Sequence, residues 1–179
     1  SIDLNRAKFF AGHSLGEYSA LAASGCLNFE KVLKILRIRG KSMQNAVPKG
    51  VGGMIAVLGS EINIIEKILL ENKNKYDCSI ANDNSNGQLV ISGFNKDLDM
   101  LAVDLKKKSI KNIKLSVSAP FHCKLMNSAT QIMKKEIKKL EMTDPKNTLI
   151  SNVTADEINK SSLLKDLLVK QIESKVRWR

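Results

Sequence analysis

Gly12-His13-Ser14-Leu15-Gly16 fits the pattern GxSxG, with a short apolar run before it and small apolar residues after it. A strand, a sharp turn and a helix in that order are the setting a nucleophilic serine requires. Flanking glycines let backbone approach without a Cβ clash. The first N–H groups of the following helix, that of Leu15 among them, point toward a reacting oxygen and can hold an oxyanion. A serine also needs a base, and the chain has two histidines. His13 adjoins the serine in sequence, where a neighbour's side chain generally points elsewhere. His122 follows Ala119-Pro120-Phe121 at a loop-to-helix transition from which an imidazole can project into a cleft, so His122 is the expected general base. Cys123 beside it is a rival nucleophile, set against its reading as a small buried apolar residue.

Arg39 is the third group with chemical content. At ~100° per residue, Val32, Leu36 and Met43 define one apolar stripe on a helix, with Arg39 near its middle and Arg37 well away from it. An inward-facing charge requires an anionic partner, because an unpaired buried charge is expensive. Three assignments follow: a structural salt bridge, a snorkelling side chain, or a site for a substrate carboxylate, which a guanidinium grips in a bidentate fork.

These residues must be positioned by surrounding elements. Residues 7–11 read as a strand, 15–24 as a helix stopped by Gly25, and 29–43 as a second helix capped by Asn28 and closed by Pro48 and Gly50. The middle reads as a unit of its own: a strand at 53–58, a helix capped by Ser60, and strands at 76–81 and 88–92 joined by a turn over 82–87. A helix capped by Asn95 and a strand through Ile113, Leu115 and Val117 complete it. The order β-α-β-β-α-β is that of a ferredoxin-like split βαβ. After Pro120 the pattern returns to a long helix at 124–140, a strand at 148–153 and a helix at 161–173. The expected architecture is thus an α/β body (1–50 and 118–179) interrupted by a small α+β insertion (51–117).

The 179 residues carry 29 Lys+Arg against 18 Asp+Glu, a formal charge of +11. Positive charge admits nucleic acid, an anionic membrane or an acidic protein partner. Five Phe, two Tyr and one Trp form no basic-aromatic stacking motif, which argues against nucleic acid. No apolar run approaches the ~20 residues of a membrane helix, and no signal-peptide pattern opens the chain. Three scattered cysteines, Cys26, Cys78 and Cys123, without a CxxC pair, speak against a zinc site and for reduced thiols in a cytoplasmic setting. The first residue is not Met, and the reading is of a fragment.

Four stretches in register, AGHSLGEYSALAASGCL (11–27), RGKSMQNAVPKG (39–50), ANDNSNGQLVISG (81–93) and SAPFHCKLM (118–126), resemble the malonyl-CoA:acyl carrier protein transacylases of fatty acid synthesis. The resemblance covers nearly the whole chain. It implies an α/β-hydrolase-like large subdomain, incomplete here, with an inserted ferredoxin-like small subdomain. It implies Ser14 as the acylated nucleophile, His122 as its base, Arg39 as the grip on the malonyl carboxylate and the Leu15 amide as an oxyanion donor. Asn82 is similar to a family position lining the cleft, and Phe121 to the malonyl-selecting form of the motif before the histidine. Malonyl-CoA enters as substrate and phosphopantetheine comes on the acyl carrier protein; no metal and no resident cofactor are implied. The implied partner is an acidic carrier protein, which surface lysines such as Lys106, Lys107 and Lys108 would steer. A monomer is implied for the full-length enzyme.

The sequence departs from the family in three places. An upstream Gly-Gln-Gly motif and a C-terminal Gly-Pro-Gly stretch, whose neighbourhood orients the histidine through a backbone carbonyl, are both absent; Trp178 is similar to the tryptophan before the latter. Asn86 stands where a proline is common. With only two strands expected in the large body, the chain by itself is expected to be poorly active and marginally stable. Two rivals remain. A serine esterase or thioesterase would orient its histidine with a carboxylate, for which Asp77, Asp83, Asp97, Asp99 and Asp104 lie in the right interval. A non-catalytic module would only bind a carrier protein.

Overall fold

The computed structural model describes residues 3–179. A short strand β1 (Phe9–Phe10) runs into helix α1 (Leu15–Ala23), and Gly25, at φ 71°, turns the chain toward α2 (Phe29–Gln44). Asn28 caps α2 as expected, its side chain accepting the Lys31 N–H at 2.8 Å. Val32, Ile35, Arg39, Ser42 and Met43 form the buried stripe of α2, while Arg37 lies outside it and is exposed.

From there the chain builds β2 (Gly52–Leu58), α3 (Ile62–Glu71), β3 (Cys78–Ser85), β4 (Gln88–Phe94), α4 (Asn95–Lys107) and β5 (Lys111–Lys114). The strands lie in the order β5-β2-β4-β3, all antiparallel, which is the ferredoxin-like arrangement. Alternation divides the sheet into two faces. Ile55, Val57, Ile80, Leu89 and Ile91 pack with Ile65, Ile68, Leu98, Leu101 and Leu105 of the two helices. Met54, Ala81 and Val90 form a small separate cluster with Leu115 and Phe121 on the other side.

The return half contains α5 (Asn127–Lys138), β6 (Thr148–Ile150), β7 (Glu157–Ile158), α6 (Ser161–Gln171) and β8 (Val176–Arg177). β6 pairs in parallel with β1 and antiparallel with β7. The core of this half joins Tyr18 and Leu21 of α1, Val32 and Ile35 of α2, Met133 and Ile137 of α5, and Leu164 and Leu168 of α6.

Several sequence expectations are corrected. The strand expected over 76–81 instead runs from Cys78 to Ser85, so Asn82 sits in a strand and only Asn86 and Gly87 turn. The polar run Asn82-Asp83-Asn84-Ser85 hid this, because the strand is bulged and therefore does not alternate cleanly. The body sheet has three strands among the described residues, since the two-residue β7 offers no apolar run to detect. β8 leaves the body and adds to the insertion's sheet, parallel to β3. A 3-10 turn over Lys124–Met126 separates the His122 loop from α5. Glu61, not Ser60, precedes α3 at its N-cap, and Asn95 is the first residue of α4 instead of its cap.

The two halves meet where β2 passes beneath the loop that carries His122. A Cβ on Gly52 would lie 2.4 Å from Pro120 Cγ, and Ser92 Oγ of β4 donates to the Phe121 carbonyl. Gly52→Ala is therefore expected to overpack this contact and destabilise the chain by ~1–3 kcal/mol, read as a lower urea midpoint than wild type.

Candidate active site

Ser14 stands between β1 and α1 with φ 54° and ψ −98°, a backbone conformation that L side chains rarely adopt. Such strain costs ~1–3 kcal/mol and persists only where the surroundings impose it. Here the close approach of Gly12 to the Gly16 backbone imposes it, whereas a Cβ on Gly16 itself would stand in open space. A Cβ on Gly12 would fall 2.0 Å from the Gly16 carbonyl carbon and oxygen, so the turn closes only around a bare Cα. Leu15 opens α1, and in the first turn its N–H has no intrahelical acceptor.

His122 also has a positive φ, 58°, and is 4% exposed. Its Nδ1 lies 2.8 Å from the Gln171 carbonyl oxygen, which can only accept, so Nδ1 carries the proton. Nε2 is left as an acceptor, and Ser14 Oγ is 2.7 Å from it. Burial pushes the imidazole down to about 4, against the raising effect of the Gln171 carbonyl and reinforced by the nearby Arg39 charge. At neutral pH the ring is uncharged, the state in which it can take a hydroxyl proton. The acceptor that orients the histidine is thus present within the chain, on α6, which corrects the expectation that it lies beyond the chain.

Arg39 is 6% exposed. Its Nη2 donates to Ser14 Oγ at 2.8 Å and to Gln171 Oε1 at 2.9 Å, and its guanidinium carbon lies 5.6 Å from the centre of the Tyr18 ring. Nε is buried without a partner. None of the ion pairs among the described residues includes Arg39. Of the three assignments left open by the sequence, the internal salt bridge is therefore removed and snorkelling is inconsistent with the burial. A cation with free donors remains beside a serine.

A cleft of about 330 Å³ contains Ser14, His122, Arg39, Asn82 and Phe121 together, with Met43, Met54, Val90, Leu115 and Val117 as its apolar wall. The bulge in β3 explains Asn82: one extra residue, Ala81, is inserted between Ile80 and Asn82, whose partners Ile91 and Val90 are adjacent on β4, and this turns Asn82 to the cleft side. Phe121 is half-buried and lines the same cleft. His13 shares the cleft, but its Nε2 lies 2.9 Å from Asn84 Oδ1 and its ring meets Trp178 edge-on at 5.4 Å. Cys123 is 2% exposed, its Sγ donates to the Pro120 carbonyl, and burial raises its thiol above the usual range. That is a packed residue and not a nucleophile. Lys106 lies instead beside a separate groove with Val103, Ile110 and Lys111.

Three residues escaped the sequence reading. Asn152 Oδ1 accepts the Ser14 N–H at 2.6 Å while Nδ2 donates to the Gly12 carbonyl at 2.8 Å, pinning both ends of the serine turn. Gln171 Nε2 donates to the Ser14 carbonyl at 2.9 Å and to Glu17 Oε2 at 2.5 Å. Glu17 Oε1 accepts the Asn152 N–H at 3.2 Å, and burial pushes its carboxyl up to about 7 despite these bonds and the Arg39 charge. Gln171 was detectable by the rule that found Arg39, since it is the polar member of the stripe Leu164, Leu167, Leu168, Gln171. Glu17 resembles an ordinary acid in a helix's first turn, and Asn152 follows a strand with no distinguishing signal.

The acyl transferase domain family matches residues 5–179. The malonyl CoA-acyl carrier protein transacylase of Salmonella typhimurium is 37% identical over 169 residues, covering 94% of this chain and 55% of that protein. That of Bacillus subtilis is 38% identical over 174 residues, 95% of this chain and 54% of its own length. An acyl-carrier-protein-S-malonyltransferase from Bartonella henselae superposes with a TM-score of 0.94 at 39% identity, over 99% of this chain and 57% of the other. A type II PKS acyl-carrier protein in complex with its malonyl-transacylase gives a TM-score of 0.91 at 33% identity, over 96% and 56% of the respective chains. The chain spans just over half the length of the curated relatives it matches.

Burial acts on Glu17 and His122 with opposite consequences for stability. His122 folds neutral, so its contribution is complete above pH 6.5 and is lost as pH falls toward 4. Glu17 favours its protonated form, so its contribution is complete below 4.5 and is lost as pH rises through 7. Each shift corresponds to an upper figure of about 3 kcal/mol. Glu17→Gln removes only the second dependence. Urea titrations of both proteins are expected to show wild type gaining on the variant by up to about 3 kcal/mol between pH 7.5 and 4.5.

Proposed function

The chain belongs to the acyl transferase domain family, and from that premise we propose that it carries the malonyl-transfer chemistry of malonyl-CoA:acyl carrier protein transacylases. His122 Nε2 takes the Ser14 proton as Oγ attacks the malonyl thioester carbonyl. The oxyanion forms beside the Leu15 N–H at the start of α1. The C–S bond then breaks, and the proton held by His122 leaves with the coenzyme A thiol. The phosphopantetheine thiol of an acyl carrier protein next attacks the malonyl-serine ester with the same base, restoring Ser14. No metal or resident cofactor enters either step. Free Cys26, Cys78 and Cys123 fit a reducing, cytoplasmic setting, and no helix among the described residues is long and apolar enough to cross a membrane.

The observation that carries this reading is Arg39, a buried guanidinium without an acidic partner, 2.8 Å from the nucleophile. Its free donors suit the carboxylate of a dicarboxylic half-thioester and have no task in a simple esterase. The esterase alternative also lacks its orienting acid. Asp77 pairs with Lys124, Asp83 with Arg179, Asp99 with Lys114 and Asp104 with Lys75, and Asp97 accepts the Asp77 N–H. His122 is held by a peptide carbonyl instead. The names of the relatives, and the solved complex of one with an acyl-carrier protein, support the same substrate and partner. In this reading residues 1–50 and 118–179 carry nucleophile, base and cation, and residues 51–117 are an inserted unit supplying the opposite wall, Asn82 included. Phe121 crowds the malonyl α-carbon and disfavours a methyl branch, a discrimination limited to ~1–3 kcal/mol.

Incubation with radiolabelled malonyl-CoA is expected to acylate Ser14, and added holo-acyl carrier protein to remove the label as malonyl thioester. Ser14→Ala is expected to show no label. Arg39→Ala is expected to lose ~10–100-fold in malonyl transfer, the worth of one or two charge-assisted hydrogen bonds, with little loss for acetyl-CoA. Release of the label only as free malonate would overturn the transferase reading in favour of a thioesterase.

A further inference from the structure

Glu17 has no part in the reaction as written, yet it is 1% exposed and makes no ion pair among those found in the described residues. What it does make is a bond at 2.5 Å from Gln171 Nε2, which also donates to the Ser14 carbonyl at 2.9 Å. Above about pH 7, where Glu17 is ionised, its carboxylate and a peptide oxygen can only accept. Between them they engage the amide nitrogen of Gln171 and thereby turn its Oε1 toward Arg39 Nη2, at 2.9 Å. The same Nη2 reaches Ser14 Oγ. The other Glu17 oxygen holds the backbone N–H of Asn152, whose side chain pins Gly12 and Ser14.

We infer that Glu17 is a positioning residue which, through the side-chain amide of Gln171, fixes Arg39 in the pose that reads a substrate carboxylate beside Ser14. The inference rests on the malonyl-transfer reading for its consequence in selectivity, and on geometry alone for its consequence in Arg39. Glu17 touches neither the reacting oxygen nor the imidazole. An amide in its place is nearly isosteric but presents a nitrogen to one of two donors, Asn152 N–H or Gln171 Nε2. The clash is relieved by turning Gln171 over, which sets its nitrogen against the guanidinium and frees Arg39 from its fixed pose.

The test is a double-mutant cycle of Glu17→Gln and Gln171→Ala, the latter keeping the backbone carbonyl that orients His122. Ser14 acylation is followed with malonyl-CoA, with acetyl-CoA and with phenylmethylsulfonyl fluoride, which needs no carboxylate contact. Expected for Glu17→Gln is a roughly tenfold fall in the malonyl-to-acetyl rate ratio, the worth of one bond to a charged group. The sulfonyl fluoride rate is expected to stay within about threefold. In the Gln171→Ala background the ratio is expected to be insensitive to residue 17. Nitrogen-15 NMR of the Arg39 guanidinium gives a readout independent of catalysis: restricted rotation in wild type, faster rotation in either single variant, no further change in the double. Equal loss with all three reagents, an unchanged ratio, or an Arg39 signal indifferent to residue 17 would overturn the inference. Should wild type react with the sulfonyl fluoride and not with malonyl-CoA, the functional reading fails, while the guanidinium signal still decides the role of Glu17. If Glu17→Gln does not fold, Gln171→Ala alone must reproduce both the ratio change and the faster rotation, or the inference is lost.

Discussion

A buried guanidinium without a counter-ion is the constraint around which this site is organised. Burying a charge is costly, and the usual remedy is an acid in contact. Arg39 is offered something weaker: the ring of Tyr18, the amide oxygen of Gln171 and the oxygen of Ser14. Each is electron-rich and none is a fixed negative charge, so the cation is held without being neutralised. Its placement on α2 follows from an otherwise ordinary amphipathic helix in which one position of the apolar stripe carries a charge.

The serine turn meets that cation through a second constraint. Gly12 has no room for a side chain because Gly16 lies against it, and the closure throws Ser14 into its positive-φ conformation. The strain is held by bonds from three separated parts of the chain: Asn152 after β6, Gln171 at the end of α6, and His122 from the loop before α5. Local sequence therefore makes the turn possible, and tertiary structure makes it persist. The ferredoxin-like sheet contributes the facing side, with Met54 and Val90 alternating out of β2 and β4 and a bulge on β3 adding Asn82.

This division explains what the sequence revealed. Ser14, His122 and Arg39 were legible because each violates its surroundings: glycines crowding a helix start, one of only two histidines, a charge on an apolar face. The ferredoxin-like order was legible because β2 and β4 read as short apolar runs while α3 and α4 carry helical periodicity. β3 was misjudged at its end because bulges break alternation, and β7 and β8 were missed because two-residue strands owe their existence to neighbours. Gln171 breaks the apolar pattern of α6 just as Arg39 breaks that of α2, so its inward position is legible in the sequence. Asn152 and Glu17 are different. Their residue types are ordinary for their local positions, and only the fold brings them to the turn.

Interposing an amide between Glu17 and Arg39 resolves a conflict that a direct ion pair could not. In contact, the carboxylate would occupy the Arg39 donors, and in the proposed reaction an incoming anion would have to displace it. One residue further away, its ionised form still lowers the cost of burying the cation through its field, as the mutual influence of the two groups indicates. Gln171 transmits orientation without transmitting charge, because its nitrogen satisfies acceptors on one side and its oxygen faces the cation on the other. The same residue's backbone carbonyl fixes the proton of His122 on Nδ1. His122 and Arg39 are thus aligned on Ser14 by opposite ends of a single residue, so displacement of the end of α6 would disturb both at once.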